Sequence, residues 1–414
     1  MKYLHIRDAR VISPDQQLDQ ICDIYVGEGR IRAIGQKPAG GTIESTLDAQ
    51  GLWLLPGFID LSSYLNEPGY PHRGTIASET LIAASAGFTH VCAQPLTRPV
   101  ADSAAVVQLM LDKAASAGYT RVLPLGALTQ GLEGEQLSNM VGLRNAGCVA
   151  LSNARQPIKD AYVMRRLMEY AATYDIRLFL HANDAALSAG GVMHEGPTAT
   201  RMGLAGIPET AETIALAQIL LLAEQTGAKV HISQISCARS IEKLRDAWQH
   251  GLPVTADVAI ANLCFTDACV NGFDSHFHVQ PPLRSEADRQ ALLQAVNAGE
   301  LAICSNHQQH EIAAKKAPFA DSAAGMAVYG SFTGLLMGLI NRGELELNAT
   351  LRALSSLPAA VLQLQTGLQE GELFNASLID PMAKTGQGLG GKVVATFVDG
   401  YRSFRTDVDS KAAL

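Results

Sequence analysis

The sequence predicts an α/β protein, a (β/α)₈ barrel with a small β-sandwich domain built from both chain ends. Two observations carry this. From Leu52 onward, short strand-like runs alternate with longer stretches of helical period, the mark of repeated βα units. Before Leu52 and after about Ala359 the helical period gives way to short strands alone. Size agrees: 414 residues, 47% hydrophobic and 17% charged, supply a large core for one or two domains.

Taken in order, residues 1–51 read as short strands, "YLHIRDARVIS", "ICDIYV" and "IRAIG", the last two joined by a turn at "GEGR". Residues 52–358 hold eight strand-like runs: "LWLLPGFIDLSSYL", "THVCAQPL", "RVLPLGAL", "CVALSN", "RLFLHAND", "KVHISQIS", "VTADVAI" and "LAICSNH". Helical segments such as "TAETIALAQILLLAEQTG" separate them, and "ALAQILLLAEQ" is apolar enough to be core shielding the barrel. Residues 359–414 return to strands in "GELFNASLID" and "KVVATFVDGYRSF", expected to pair with the N-terminal strands in one satellite domain.

Composition excludes several functions. A net charge of −8 with no block of Lys and Arg argues against a nucleic-acid binder. The N-terminus "MKYLHIRDAR" lacks the apolar core of a secretory signal, and no apolar run approaches the roughly 18 residues of a membrane span, so a cytoplasmic protein is expected. The seven cysteines lack CxxC spacing and read as buried reduced thiols. "GQGLGGK", Gly386 to Lys392, matches phosphate-binding strings, but a strand-like run follows it where a phosphate cradle needs a helix.

In such a barrel the C-terminal ends of the strands form the functional mouth. They offer Ser62, Ser63 and Tyr64 on strand one, Ser152 and Asn153 on strand four, His181, Asn183 and Asp184 on strand five, Gln234 on strand six, and Asn306 and His307 on strand eight. This ring of mostly neutral groups is a poor home for a divalent metal, and no cofactor is expected. The histidines of "HFH", His276 and His278, read as a surface loop, although an HxH on a strand would point both imidazoles one way. Ser62 or Cys304 beside a histidine lacks the GxSxG setting of a nucleophile.

Several segments resemble the dihydroorotases of the amidohydrolase superfamily. "PGFIDLSSYLNEPG" resembles the family's PGFxDxHxHLREPG, "VQPPLRSEADRQAL" its NPPLR segment, "SNHQQH" its DHAPH, and "GGVMHEGPTATRMGLAGIPETAE" its loop after strand five. The resemblance implies that Ser62 and Tyr64 stand where the family has zinc-binding histidines. It likewise implies that Asn153 or a neighbour replaces the strand-four acid, Gln234 a strand-six histidine and Asn306 the catalytic aspartate. His181 is the one evident ligand that survives, although after the apolar run "RLFL" it reads first as a hydrogen-bonded core histidine, and His310 closes "SNHQQH" as a histidine closes DHAPH.

Asn66 and Leu96 replace the family's substrate-carboxylate arginine and asparagine, with Arg98 near enough in sequence to offer a cation. Changes from Asp to Asn and His to Gln keep shape while discarding groups that cost several kcal/mol when buried without a cation.

On this reading the chain is a degenerate dihydroorotase, not an enzyme. The resemblance implies a structural subunit, a homodimer of barrels, supporting assembly and activity of aspartate transcarbamoylase in pyrimidine biosynthesis. Two alternatives stand beside it: a cyclic amidohydrolase with His181, His231 and His307 on one rearranged zinc, and a sensor that keeps the pocket for binding only.

Overall fold

Eight parallel strands curl into a barrel in the computed structural model, which describes residues 1–384 and 390–406. They are Phe58–Tyr64, Phe88–Ala93, Arg121–Ala127, Ala150–Ser152, Leu178–His181, Val230–Ser233, Val254–Ala259 and Ala302–Cys304, numbered one to eight below. Seven fall inside the runs read from the sequence, and strand two starts at Phe88, one residue before its run. Strand eight pairs with strand seven; the chain then bends at Ser305 and Asn306, and His307–Gln308 pair in parallel with Ser63 and Tyr64 of strand one. This two-residue continuation closes the barrel and places residues 305–308 across the mouth.

The first run differs from expectation. "LWLLPGFIDLSSYL" is two strands: Trp53–Pro56 belongs to the terminal sheet and only Phe58–Tyr64 to the barrel. Gly57 makes the transfer because the backbone there is pressed against strand two, where a Cβ would lie 2.2 Å from the Thr89 methyl.

Inside the barrel, alternate positions supply Leu61, Cys92, Leu125, Ala150, Phe179, Ala259, Ala302 and Cys304, all buried in one cluster. Strand six contributes His231, packed 4.6 Å from Phe179 between ring centres. A second, larger cluster fills the space between the strands and the helices outside them. The helix Glu209–Thr226 buries Leu216, Ile219, Leu220 and Ala223 as expected, yet leaves Ile214 50% and Leu221 66% exposed.

Both chain ends join in one eight-stranded sheet, in the order 401–405, 390–398, 376–384, 53–56, 2–13, 18–27 and 30–34, with 42–48 beside 2–13. The expected sandwich of two stacked sheets is therefore, in its pairing, a single sheet that bends over its own apolar face. Ile31, from one edge, and Phe397, next to the other, lie in the same buried cluster, and residues 371–374 bond back onto 29–31. Residues 386–389 of the "GQGLGGK" segment lie outside the described residues, and Gly390 opens a strand. All seven cysteines are free and four are buried. Among the described residues no helix is long and apolar enough to cross a membrane.

The closing residue His307 is held from two sides. Its Nδ1 accepts the backbone N–H groups of Val328 and Tyr329, at 3.1 and 3.2 Å, so its Nε2–H donates to Glu79 at 2.7 Å. Both side chains are at most 4% exposed. Glu79→Ala, which leaves that buried N–H unpaired, is expected to cost about 3 kcal/mol in denaturant unfolding, and Glu79→Gln, which keeps an acceptor, less than half as much.

Candidate functional site

The barrel mouth is built from neutral side chains that bond to one another. Ser62, fully buried, accepts from Gln94 Nε2 at 3.1 Å, and Gln94 Oε1 accepts from Ser152 at 3.0 Å, so a chain of amide and hydroxyl groups crosses from strand one to strand four. Asn153 accepts the His181 backbone N–H at 3.0 Å and donates to Gln156 O at 2.9 Å. His181 bonds through Nδ1 to Ser233 O at 3.1 Å; a carbonyl only accepts, so Nδ1 carries the proton and Nε2 keeps its lone pair. Burial, then the Arg155 charge, pushes its pKa down to about 4, so the ring is neutral.

Gln234 reaches down to Asp257 and Cys304, and Asn306 donates to Gln280 O at 2.9 Å. Asn66 donates to Gln309 O at 3.3 Å. Leu96 packs against Ala127, Leu132 and Ala154, and His310 donates through Nε2 to Ala324 O at 3.0 Å.

Arg155, which the sequence reading passed over, stands at the centre of the mouth. Its Nε donates to Tyr64 Oη at 2.7 Å, one terminal nitrogen to Gln308 Oε1 at 2.6 Å, and the other to Gln280 O at 2.8 Å. The guanidinium also lies 4.6 Å from the Tyr64 ring centre. One side chain from the end of strand four thus ties strand one, the residues after strand eight and the loop after strand seven. Arg98, the cation the sequence offered, is exposed instead. The small cavity that Arg155 lines with His181, Asn183 and Gln280 has about 20 Å³ of free space, enough for one water.

Backbone strain gathers at the same place. Asn66, Ala154, Arg155, Gln234 and Asn306 all have φ between +46° and +67°, a left-handed conformation that costs an L-residue about 1 kcal/mol or more.

Two buried carboxylates lie beneath. Asp60 accepts the backbone N–H groups of Ser62 and Ser305, the Ser305 hydroxyl, and Tyr329 Oη–H at 2.6 Å. Complete burial outweighs these bonds and raises its pKa to about 6. Asp257 bonds His231 Nε2 at 3.0 Å and the Gln234 backbone N–H at 2.6 Å.

Metal is the obvious question for a barrel of this kind. The positions expected to hold it present two hydroxyls, three carboxamides and one imidazole, a donor set that does not fit zinc, and the nearest cation is the arginine itself. The alternative three-histidine site is not assembled either. His231 is spent on Asp257 and Thr255, and His307 on Glu79. Among the described residues no group of three His, Cys, Asp or Glu side chains is placed to share an ion. His276 and His278 also part company: His276 is exposed beside Asp274, while His278 is buried against Ser322 and Phe319, so this stretch is not wholly a surface loop.

A barrel with its functional ring at the strand C-termini and a sheet made of both chain ends defines an amidohydrolase-type fold. Comparison with solved structures agrees: an L-hydantoinase (dihydropyrimidinase) from Arthrobacter aurescens superposes with a TM-score of 0.84 over 97% of this chain and 96% of that one, at 19% identity. A family model described as dihydro-orotase-like matches residues 51–240. A "dihydroorotase-like protein" of Pseudomonas aeruginosa is 47% identical, covering 96% of this chain and 98% of its own. A "dihydroorotase" of Desulfotalea psychrophila is 37% identical over 91% of this chain and 89% of its own, and one from Anaeromyxobacter dehalogenans is 36% identical over 92% and 89%.

The chain belongs to the dihydroorotase-like family. The expectation that it is not an enzyme is corrected by these relatives, whose name points to an enzyme.

Two outcomes are expected at the site. Arg155→Lys, which keeps the charge but cannot reach three acceptors at once, should lose about 2 kcal/mol of unfolding free energy, nearly as much as Arg155→Ala. The second concerns Asp60, whose folded pKa of about 6 lies above its unfolded value of about 3.9. Its contribution is fully present below the lower value and is lost as pH rises through the higher, by about 3 kcal/mol. Asp60→Asn should flatten that part of a stability curve measured from pH 3 to 8, and an unchanged slope would reassign it.

Proposed function

We propose that the chain serves as a structural subunit that supports the assembly and activity of aspartate transcarbamoylase in pyrimidine biosynthesis, acting in the cytoplasm as a homodimer of barrels. The observation that carries this reading is the Arg155 bridge. It ties strands one and four to the segments that flank strand eight, and the cavity beside it, about 20 Å³, is below the roughly 300 Å³ of an ordinary ligand site. The loops framing the mouth nevertheless stay firmly built. Arg284, 3% exposed, donates to Ser236 Oγ at 3.0 Å and Ile207 O at 2.9 Å, beside Glu212, which accepts from Ser236 and Ser240. A scaffold needs a rigid outer shape, and these contacts supply one.

Cyclic-amide hydrolysis is the second reading, favoured by the relatives named dihydroorotase. It requires Arg155 to swing clear of Tyr64 and Gln308 before any substrate enters.

One preparation tests both. The tagged full chain is purified from lysate of its native host, and the eluate is assayed for aspartate transcarbamoylase, zinc and dihydroorotate hydrolysis. Co-elution of the transcarbamoylase in fixed stoichiometry, with its activity falling when this chain is removed, is the expected result. A chain that elutes alone overturns the structural role. Turnover of dihydroorotate that is lost in His181→Ala establishes the second reading.

A further inference from the structure

Beside the closed mouth lies an open pocket of about 350 Å³, set between strands four and five and the helices that follow them. It shares Asn153, His181 and Asn183 with the mouth but extends outward, away from Arg155, to Lys159, Asp184 and Gln218. A volume of this size holds a small metabolite. Its chemistry is asymmetric, and the asymmetry describes a ligand.

The inner wall has acceptors to spare. Asn183 spends its Nδ2 on Ser188 at 3.1 Å, leaving Oδ1. Asp184 takes the backbone N–H groups of Ala186 and Leu187 on Oδ1, both at 2.9 Å, leaving Oδ2. His181, with its proton on Nδ1, leaves Nε2. Three acceptors, one of them anionic, call for a donor-rich cationic group. At the rim stands Lys159, exposed and without a carboxylate partner among the described residues, which calls for an anion. Ile158, Met164 and Ile219 supply the apolar wall between the two ends.

We propose that this lateral pocket binds a small zwitterion of the amino-acid class, its ammonium group set against Asp184, Asn183 and His181 and its carboxylate against Lys159. Binding here needs neither a metal nor movement of Arg155, and it does not depend on the assembly role proposed above.

The test is calorimetric titration and thermal unfolding of the full chain with the common amino acids, each singly at millimolar concentration. At least one should bind. Its Kd should rise at least tenfold in Lys159→Ala, an exposed change, and in Asp184→Asn, which keeps the side-chain shape and Oδ1. The matching 2-hydroxy acid, identical except for the ammonium, should bind at least tenfold more weakly. The proposal is overturned if no amino acid gives heat or a thermal shift, if both variants bind as tightly as the parent chain, or if the hydroxy acid binds equally well.

Discussion

The mouth of this barrel depends on one guanidinium. Eight strand ends bring polar groups together at the top of the sheet, and a ring of hydroxyls, amides and a phenol has more acceptors than it can satisfy internally. Arg155 brings five donors in a rigid plane, and three of them meet Tyr64, Gln308 and Gln280 at 2.6 to 2.8 Å. The contact spans strand one, strand four and the two segments that flank strand eight. It therefore does at the top of the barrel what the His307–Glu79 contact does on its outer side, fastening the seam where first and last strands meet. The left-handed backbone at Ala154 and Arg155 is the cost of aiming that side chain inward.

Position decides which charges survive in such a site. Asp60 and Asp257 are both completely buried, and each receives several hydrogen bonds from neighbours fixed by the sheet. The groups above them, at Ser62, Asn153, Gln234 and Asn306, are neutral, and each bonds a neutral partner or an Asp below. Adding a carboxylate there would set a third buried acid above these two. Arg155 would offset one such charge, but three of its five donors already hold Tyr64, Gln308 and Gln280. The neutral ring and the arginine are thus one arrangement, and either makes the other sensible.

Much of this was legible in the sequence. The eight barrel strands could be read because strands buried on both faces are apolar runs bounded by turns, and the mouth residues followed from where those runs end. The split at Gly57 was hidden because "LWLLP" and "FIDLSSY" are equally apolar, and only the close approach of Thr89 separates them. The sandwich was a misreading of pairing, which short alternating strands do not specify. Arg155 was missed for a different reason. It follows strand four, where the family resemblance directed attention to an absent acid, and a lone arginine after a strand looks like solvent-facing charge until the partners are known. Its signal was present as the one cation in "ALSNARQP", the segment leading out of strand four.

His181 joins the closed mouth to the open pocket. On one side the Arg155 charge acts on it, and on the other its lone pair faces the space near Asn183 and Asp184. Burial and that charge both favour the neutral ring, and a neutral ring with its proton on Nδ1 is an acceptor toward the pocket and nothing more. Burial and the Ser233 carbonyl set this, and the arginine reinforces it from outside the open pocket. Beside the small cavity at the barrel centre the chain thus keeps a larger one, whose acceptors face a donor-rich head.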